Sequence, residues 1–390
     1  MLRLLAGPLC ALAVLIATPV CLRAAQGPPL RTGLWVTQQT REAAANLTAF
    51  ESAVRANPHL SGVCLTASWN EVEKQAGQLD FSAIDKTVEV LHRLSMKYEI
   101  AIKPGVDTPS YVFQEGAQSF ETSVTNPHRP NFGQAVRVPI PWDPIYEHNF
   151  SRVIEQLGKR YASDPLCVSV VLTCANFMSK EMHLPKSLKD RGQWKASGDY
   201  EAKLLEVYKK YTDEWARAFP KQSISLHLAK VADLPVTFNE RVIAYGLSKY
   251  PERFTIQNCQ LTGRREDAGT MSYDLILKYS DRLHHGFQSL AAFGRGGERM
   301  GSVQMAALNV VHGTGEYWEV WHGDGLSAET SGEIAKAWEE AKRLGYGAYK
   351  QKLISEGSYR TREDDNYRQR GRQKGRGRQK GRGAVETPET

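Results

Sequence analysis

Little in this chain supports the chemistry of metals, phosphates or nucleophilic serine. Of six cysteines only Cys64, Cys167, Cys174 and Cys259 lie beyond the first 25 residues, none in a CxxC or Cys/His spacing. His183, His227, His284 and His285 form no ligand pattern either, so no metal is expected. All four cysteines sit in β-rich apolar runs, where a thiol behaves as a small buried hydrophobe; a disulfide among them stays open. No GxSxG elbow is present, which argues against a serine hydrolase. No Gly-rich loop follows a β-like run, so the phosphate site of a doubly wound nucleotide-binding sheet is missing. No cofactor is implied.

Net charge is also lacking where it would matter. The formal +7 comes from 50 Lys and Arg against 43 Asp and Glu. Arg3 and Arg23 account for two, and Ser358 to Thr390 carries ten basic residues against five acids. The stretch between is neutral, with 38 residues of each sign. A neutral body does not attract polyanions in bulk, so no nucleic-acid site is expected in it and its partners should be neutral molecules.

The two ends read differently from the body. Residues 1–25 resemble an export signal: Arg3, then an apolar run from Leu4 to Val20, then the small pair Ala24-Ala25. Pro8 and Pro19 interrupt that run, which counts against a retained membrane anchor. A periplasmic or secreted protein with a mature start near residue 26 is the expectation. Residues 358–390 are rich in Gly, Arg, Lys and Gln, with GRQKGR repeated at 371–376 and 377–382. Such a tail cannot bury a core and is expected to be disordered, either simply solvated or in contact with a polyanion.

What is present between 26 and 357 is an alternation of β-rich and helix-period runs. Strands are expected at 33–37, 62–69, 99–106, 167–176, 223–231, 254–263, 285–293 and 316–321. Helices are expected at 47–56, 81–97, 145–161, 200–218, 240–249, 272–283, 302–312 and 328–344. Eight such units predict a single α/β domain, a (β/α)8 TIM barrel. The connections at 107–143 and 177–197, after strands three and four, are long. Both fall on the strand C-terminal side, where barrel enzymes hold their chemistry.

The segment WNEVEKQAGQLDFSAID, Trp69 to Asp85, carries a resemblance. With Trp69, Val72, Glu73, Gly77, Leu79, Asp80, Phe81, Ser82, Ile84 and Asp85 in place, it is similar to the second-strand region of clan A glycoside hydrolases, in particular the β-galactosidase-like branch. KPGVDTPSYV at 103–112 looks like that family's next segment. Glu73, Asp80 and Asp85 also have a structural explanation, capping or bracing the following helix, with Gly77 in a turn.

The resemblance implies hydrolysis of O-glycosidic bonds by two carboxyl groups, one protonating the leaving oxygen and one acting as nucleophile or base. This sequence departs from it at both catalytic positions. The family's Asn-Glu after strand four becomes Asn176-Phe177, and the nearest acid is Glu181, taken as acid/base or else as a loop residue paired with Lys180 or Lys186. Strand seven offers Gln288 where the family has its nucleophile. Strand eight supplies Glu319, inward between Tyr317 and Trp321 by the period-two rule, as nucleophile or base. The alternative is a structural Glu319 bonded to backbone or to His312, with Glu316 and Asp324 as lesser competitors. Substrate contacts are expected from Trp69, Tyr111, Asn176, Gln288, Tyr317 and Trp321, with Trp142 and Trp318 as further aromatic platforms. The expected partner is a carbohydrate, either hydrolysed or, in a barrel that has lost turnover, only bound.

Overall fold

The computed structural model describes residues 27–127, 131–296 and 299–361. The leader and nearly all of the basic tail lie outside these. Eight parallel strands close into a barrel: β1 Gly33–Gln39, β2 Leu60–Ser68, β3 Lys97–Lys103, β4 Cys167–Val171, β5 Ser223–Leu228, β6 Phe254–Leu261, β7 His285–Ser289 and β8 Tyr317–Trp321. β8 closes on β1 with Tyr317 opposite Gly33 and Trp321 opposite Thr37. Each strand falls on one of the eight runs expected from the sequence, so the (β/α)8 architecture is as anticipated. Nearly every strand residue is buried because helices cover one face and the barrel interior the other.

The helices owe their positions to local signals. Pro144–Tyr161 begins on Asp143, whose carboxylate accepts the backbone N–H groups of Ile145 (2.9 Å) and Tyr146 (3.1 Å), with proline at its first position. A cap of this kind contributes about 1 kcal/mol. Val236–Lys249 starts earlier than its apolar period suggested because Pro235 is a helix entry. The helix expected over 81–97 stops at Arg93, since Lys97 already opens β3. The helix expected over 328–344 runs on to Ser355 with a break at Gly345, whose φ of 74° a residue with a Cβ adopts at a cost. Beyond the break, Tyr346 and Lys350 anchor the second part on Glu266.

Both long connections carry structure. The one after β3 contains the helix Ser110–Gln114 and an antiparallel hairpin pairing Ser119–Ser123 with Ala135–Pro139. The one after β4 contains the helix Leu188–Ala196. They meet where Phe120 packs edge-on against Trp194, ring centroids 4.7 Å apart.

The family-like segment is mostly scaffolding. Glu73 is fully buried, ion-paired with Arg152 (2.7 Å) and bonded to the Trp69 indole N–H (3.1 Å) and the Gly77 N–H (2.8 Å). Asp80 accepts the Ser82 N–H at the helix start, and Asp85 accepts a forked pair from Arg160. The four cysteines are free and buried.

Candidate functional site

The inward side chains of the strands form layers. Trp35, Val168 and Tyr317 pack together toward the strand starts, and Cys64, Ala101 and Val171 farther along. Two carboxylates, Glu99 and Glu319, enter this interior with no exposed surface. Burying two charges costs several kcal/mol each unless cations meet them. Two do, and neither comes from a strand.

Arg31, in the segment before β1, threads its guanidinium upward into the barrel. It bonds Glu99 at 2.8 Å, Glu319 at 3.0 Å, Gln257 at 2.6 Å and Ser225 at 3.2 Å, and also the Tyr317 hydroxyl. Ser169 donates to the other oxygen of Glu99 at 2.8 Å. From the opposite end Lys180, in the loop after β4, reaches down. It pairs with Glu319, contacts the Cys64 sulfur at 3.0 Å and the Thr37 hydroxyl at 3.4 Å, and is itself buried. The result is an alternating chain, Glu99, Arg31, Glu319, Lys180, in which each charge has an opposite neighbour.

The electrostatics follow from this arrangement. Burial opposes ionisation of Glu319, but the Lys180 ammonium and the Arg31 guanidinium outweigh it and hold the carboxyl below its usual range. Burial likewise opposes the charge on Lys180, which is nonetheless held above the ordinary lysine value. Burial pushes the Cys64 thiol well up, so that thiol is neutral and the carboxylates are what secure the lysine's proton. Burial, then the Lys180 and Arg31 charges, push His227 well down, leaving a neutral imidazole. Among the described residues, Cys64, Glu99 and Glu319 have metal-ligand reach, but Arg31 and Lys180 already neutralise them.

The residues expected at the site fall in different surroundings. Glu319 is inward as read, yet its partners are Lys180 and Arg31; His312 instead contacts the Tyr273 hydroxyl. Glu181 is half-buried in the β4 loop, and its charge reaches the buried Cys259 thiol of β6, as does that of Glu319. Asn176 braces this loop: its side chain accepts the Cys174 N–H (2.7 Å) and donates to the Glu181 carbonyl (2.5 Å). Gln288 is buried and accepts from Gln257 at 3.2 Å. Tyr317 lies at the start of β8, its ring 3.9 Å beneath the Arg31 guanidinium. Trp69 is wholly buried against Tyr146 and Phe150, and Tyr111 is buried beside Arg152. Trp318 is fully buried and faces Trp338, whereas Trp321 is partly exposed, its indole N–H on the Ser289 carbonyl. Trp142 packs on Trp194 under Lys203. Glu316 pairs with His284 at 2.6 Å, and Asp324 accepts the Phe293 N–H.

Sequence reasoning missed Arg31 and Lys180. One signal pointed to them: Glu99 and Glu319 both alternate inward among outward apolar residues, and two interior carboxylates require two interior cations.

The β4 loop is seated by backbone bonds as well. Met182 N–H donates to the His227 carbonyl (3.0 Å), Phe177 N–H to the His183 carbonyl (2.9 Å) and Val106 N–H to the Phe177 carbonyl (2.9 Å). Gly105 makes the last contact feasible. Its φ is +68°, and a Cβ there would lie 2.0 Å from the Asn176 carbonyl oxygen and 2.3 Å from that of Phe177. Gly105→Ala is therefore expected to cost about 3 kcal/mol, combining left-handed strain with a backbone clash. Thermal denaturation checks this, and a loss below about 1 kcal/mol would refute the argument.

No protein-family model matches the chain, and no curated protein matches it in sequence. Solved structures do match in fold. The chain is similar to the β-galactosidase of the psychrophilic Marinomonas ef1, with 10% identity over 80% of this chain and 60% of that one, TM-score 0.53. It is similar to the β-galactosidase of Rahnella sp. R3, with 10% identity over 80% and 57% of the two chains, TM-score 0.51. A third is the polyextremophilic β-galactosidase of the haloarchaeon Halorubrum lacusprofundi, with 11% identity over 79% and 58%, TM-score 0.50. The aligned part thus spans only about 60% of the first of these enzymes. The fold is a (β/α)8 barrel like that of these β-galactosidases.

Proposed function

We propose that this barrel binds a carbohydrate at its strand C-terminal face and does not hydrolyse it through a Glu181/Glu319 pair. The observation that carries the reading is the state of Glu319. A nucleophile or general base must meet an anomeric carbon or a water with a free oxygen lone pair. Here one carboxylate oxygen is taken by Lys180, the other by Arg31, and the side chain has no exposed surface. The strand count supports the same view. Glu319 stands on β8, and β7 presents Gln288 where the resemblance calls for a nucleophile. The barrel's likeness to β-galactosidases and the Trp69 to Asp85 segment support a carbohydrate ligand, and the leader supports export.

One observation favours the competing reading, an exported glycoside hydrolase with Glu181 as acid/base and Glu319 as nucleophile or base. Glu319 is kept ionised, the state a nucleophile needs, and Glu181 lies in the loop that covers the barrel. That route requires Lys180 to withdraw.

Aryl glycosides and plant or algal oligosaccharides, offered to the parent protein together with Glu181→Gln and Glu319→Gln, separate the two. Binding without turnover is the expected result. Turnover in the parent that falls by ~10²-fold or more in both variants would establish the hydrolase instead.

A further inference from the structure

Between the ends of β2 and β3 the barrel rim holds a cleft of about 620 Å3, within the size range of small-ligand sites. Asn70, just past β2, and Thr108, just past β3, line it together with Lys74, Phe113, Val136 and Arg137. We infer that this cleft is a subsite for an anionic group, carboxylate or sulfate, on the bound glycan; the inference rests on the carbohydrate-binding reading and names the class of sugar.

Three observations carry it. The lining includes two cations and no acid. Asp107, nearby, is already engaged by Lys103 (3.4 Å) and by the Ser68 hydroxyl (3.1 Å), and the charge of Asp80 bears on Lys74 from outside the lining.

Arg137 is held in position. Its Nε donates to the Ser119 hydroxyl at 2.7 Å and its guanidinium lies 4.6 Å over the Phe113 ring. Among the described residues its terminal nitrogens have no hydrogen-bond partner, so the forked pair of donors that suits a planar carboxylate or a sulfate is available. Stacking and tethering remove side-chain freedom beforehand, which lowers the entropy lost on binding.

The third observation is the Thr108 hydroxyl. Thr108 lines the same cleft, and its buried hydroxyl has no hydrogen-bond partner among the described residues. Such a group costs about 1 to 3 kcal/mol while unmet, and a ligand oxygen or a water it carries would relieve that cost. Val136 and the edge of Phe113 give the carbon face of a pyranose an apolar surface beside the charges.

Calorimetric titration of the full chain with galactotriose, its sulfated form and tri-galacturonate tests the assignment. The expected result is binding of an acidic ligand on the order of tenfold tighter than the neutral one, from two partly exposed charge contacts. That preference should vanish in Lys74→Gln/Arg137→Gln, and also in the parent at about 1 M salt, where the Debye length is about 3 Å. Whether sulfate or carboxylate gains more identifies the group. Equal affinity for neutral and acidic sugars, or a preference that survives the double substitution, overturns the subsite while leaving carbohydrate binding intact. Binding of none of the three counts against the carbohydrate reading itself and removes the subsite with it.

Discussion

Arg31→Met is expected to lower the stability of the barrel by about 5 kcal/mol at pH 7 and by clearly less near pH 4.5. Among the described residues Arg31 is the only cation that touches Glu99, and it shares Glu319 with Lys180. Removing one partner of a buried pair costs about 3 to 5 kcal/mol because the survivor stays charged and dry. Among the described residues Glu99 would then keep only the Ser169 hydroxyl, and Gln257 and Tyr317 would lose the Arg31 donor. With domain stabilities of about 5 to 15 kcal/mol, the variant stands near the threshold of folding.

The pH dependence has a definite sign. In the parent, Glu319 has a lowered folded-state pKa, so its contribution is present above the unfolded value and lost as pH falls through the folded one. In the variant, Glu319 loses one of the two cations that lower its pKa, so less of this contribution is present at pH 7 and the difference from the parent narrows as pH falls. Urea denaturation of parent and variant at both pH values measures the difference. A loss equal at pH 7 and 4.5, or below about 1 kcal/mol at pH 7, would show that the chain of charges does not hold the barrel together.

The two residues that matter most to this interior are the ones a linear reading of the sequence passes over. Strands declare themselves locally: in YEIAIK the isoleucines alternate with Glu99 and Ala101, and in YWEVW the aromatics flank Glu319 on one face. Summed over eight such runs, that local information is enough for the barrel. Arg31 stands in PPLRTG and Lys180 in FMSKEM, contexts that read as solvated loop. Their burial is decided 68 and 139 residues away, at Glu99 and Glu319, and nothing in their immediate neighbours encodes it. The same limit applies to the aromatics. Trp69 follows directly on β2 and Trp318 is the second residue of β8, but whether an indole faces the mouth or the helix layer depends on partners such as Phe150 and Trp338, which are remote in sequence. One alternative in the sequence pairs Glu181, as a loop residue, with Lys186 or with Lys180. The fold instead turns it inward, because an ionised Glu319 inside the barrel is a far stronger demand than an exposed pair worth less than about 1 kcal/mol.

That contrast makes the Lys180 and Glu319 pair the most informative place to intervene. Lys180→Met is expected to cost about 3 kcal/mol, since Glu319 would retain Arg31 but lose the charge that meets its other oxygen. Glu319→Gln is expected to cost at least as much, because it leaves both a buried ammonium and a guanidinium without one carboxylate. The double variant, with an apolar side chain against an amide, should lose about 2 to 3 kcal/mol less than the sum of the singles. Denaturation midpoints of the four proteins give this coupling directly, and additivity within about 0.5 kcal/mol would mean that the two groups do not share one network. The same set bears on function. If Glu319 is a structural anion, Lys180→Met loosens the barrel and leaves carbohydrate turnover absent. If Glu319 is a nucleophile restrained by its lysine, Lys180→Met frees an oxygen lone pair at the barrel mouth, and turnover should rise in that variant alone and vanish again in the double. Stability therefore falls in Lys180→Met under both readings, but turnover rises only under the second, which a single panel of four proteins distinguishes.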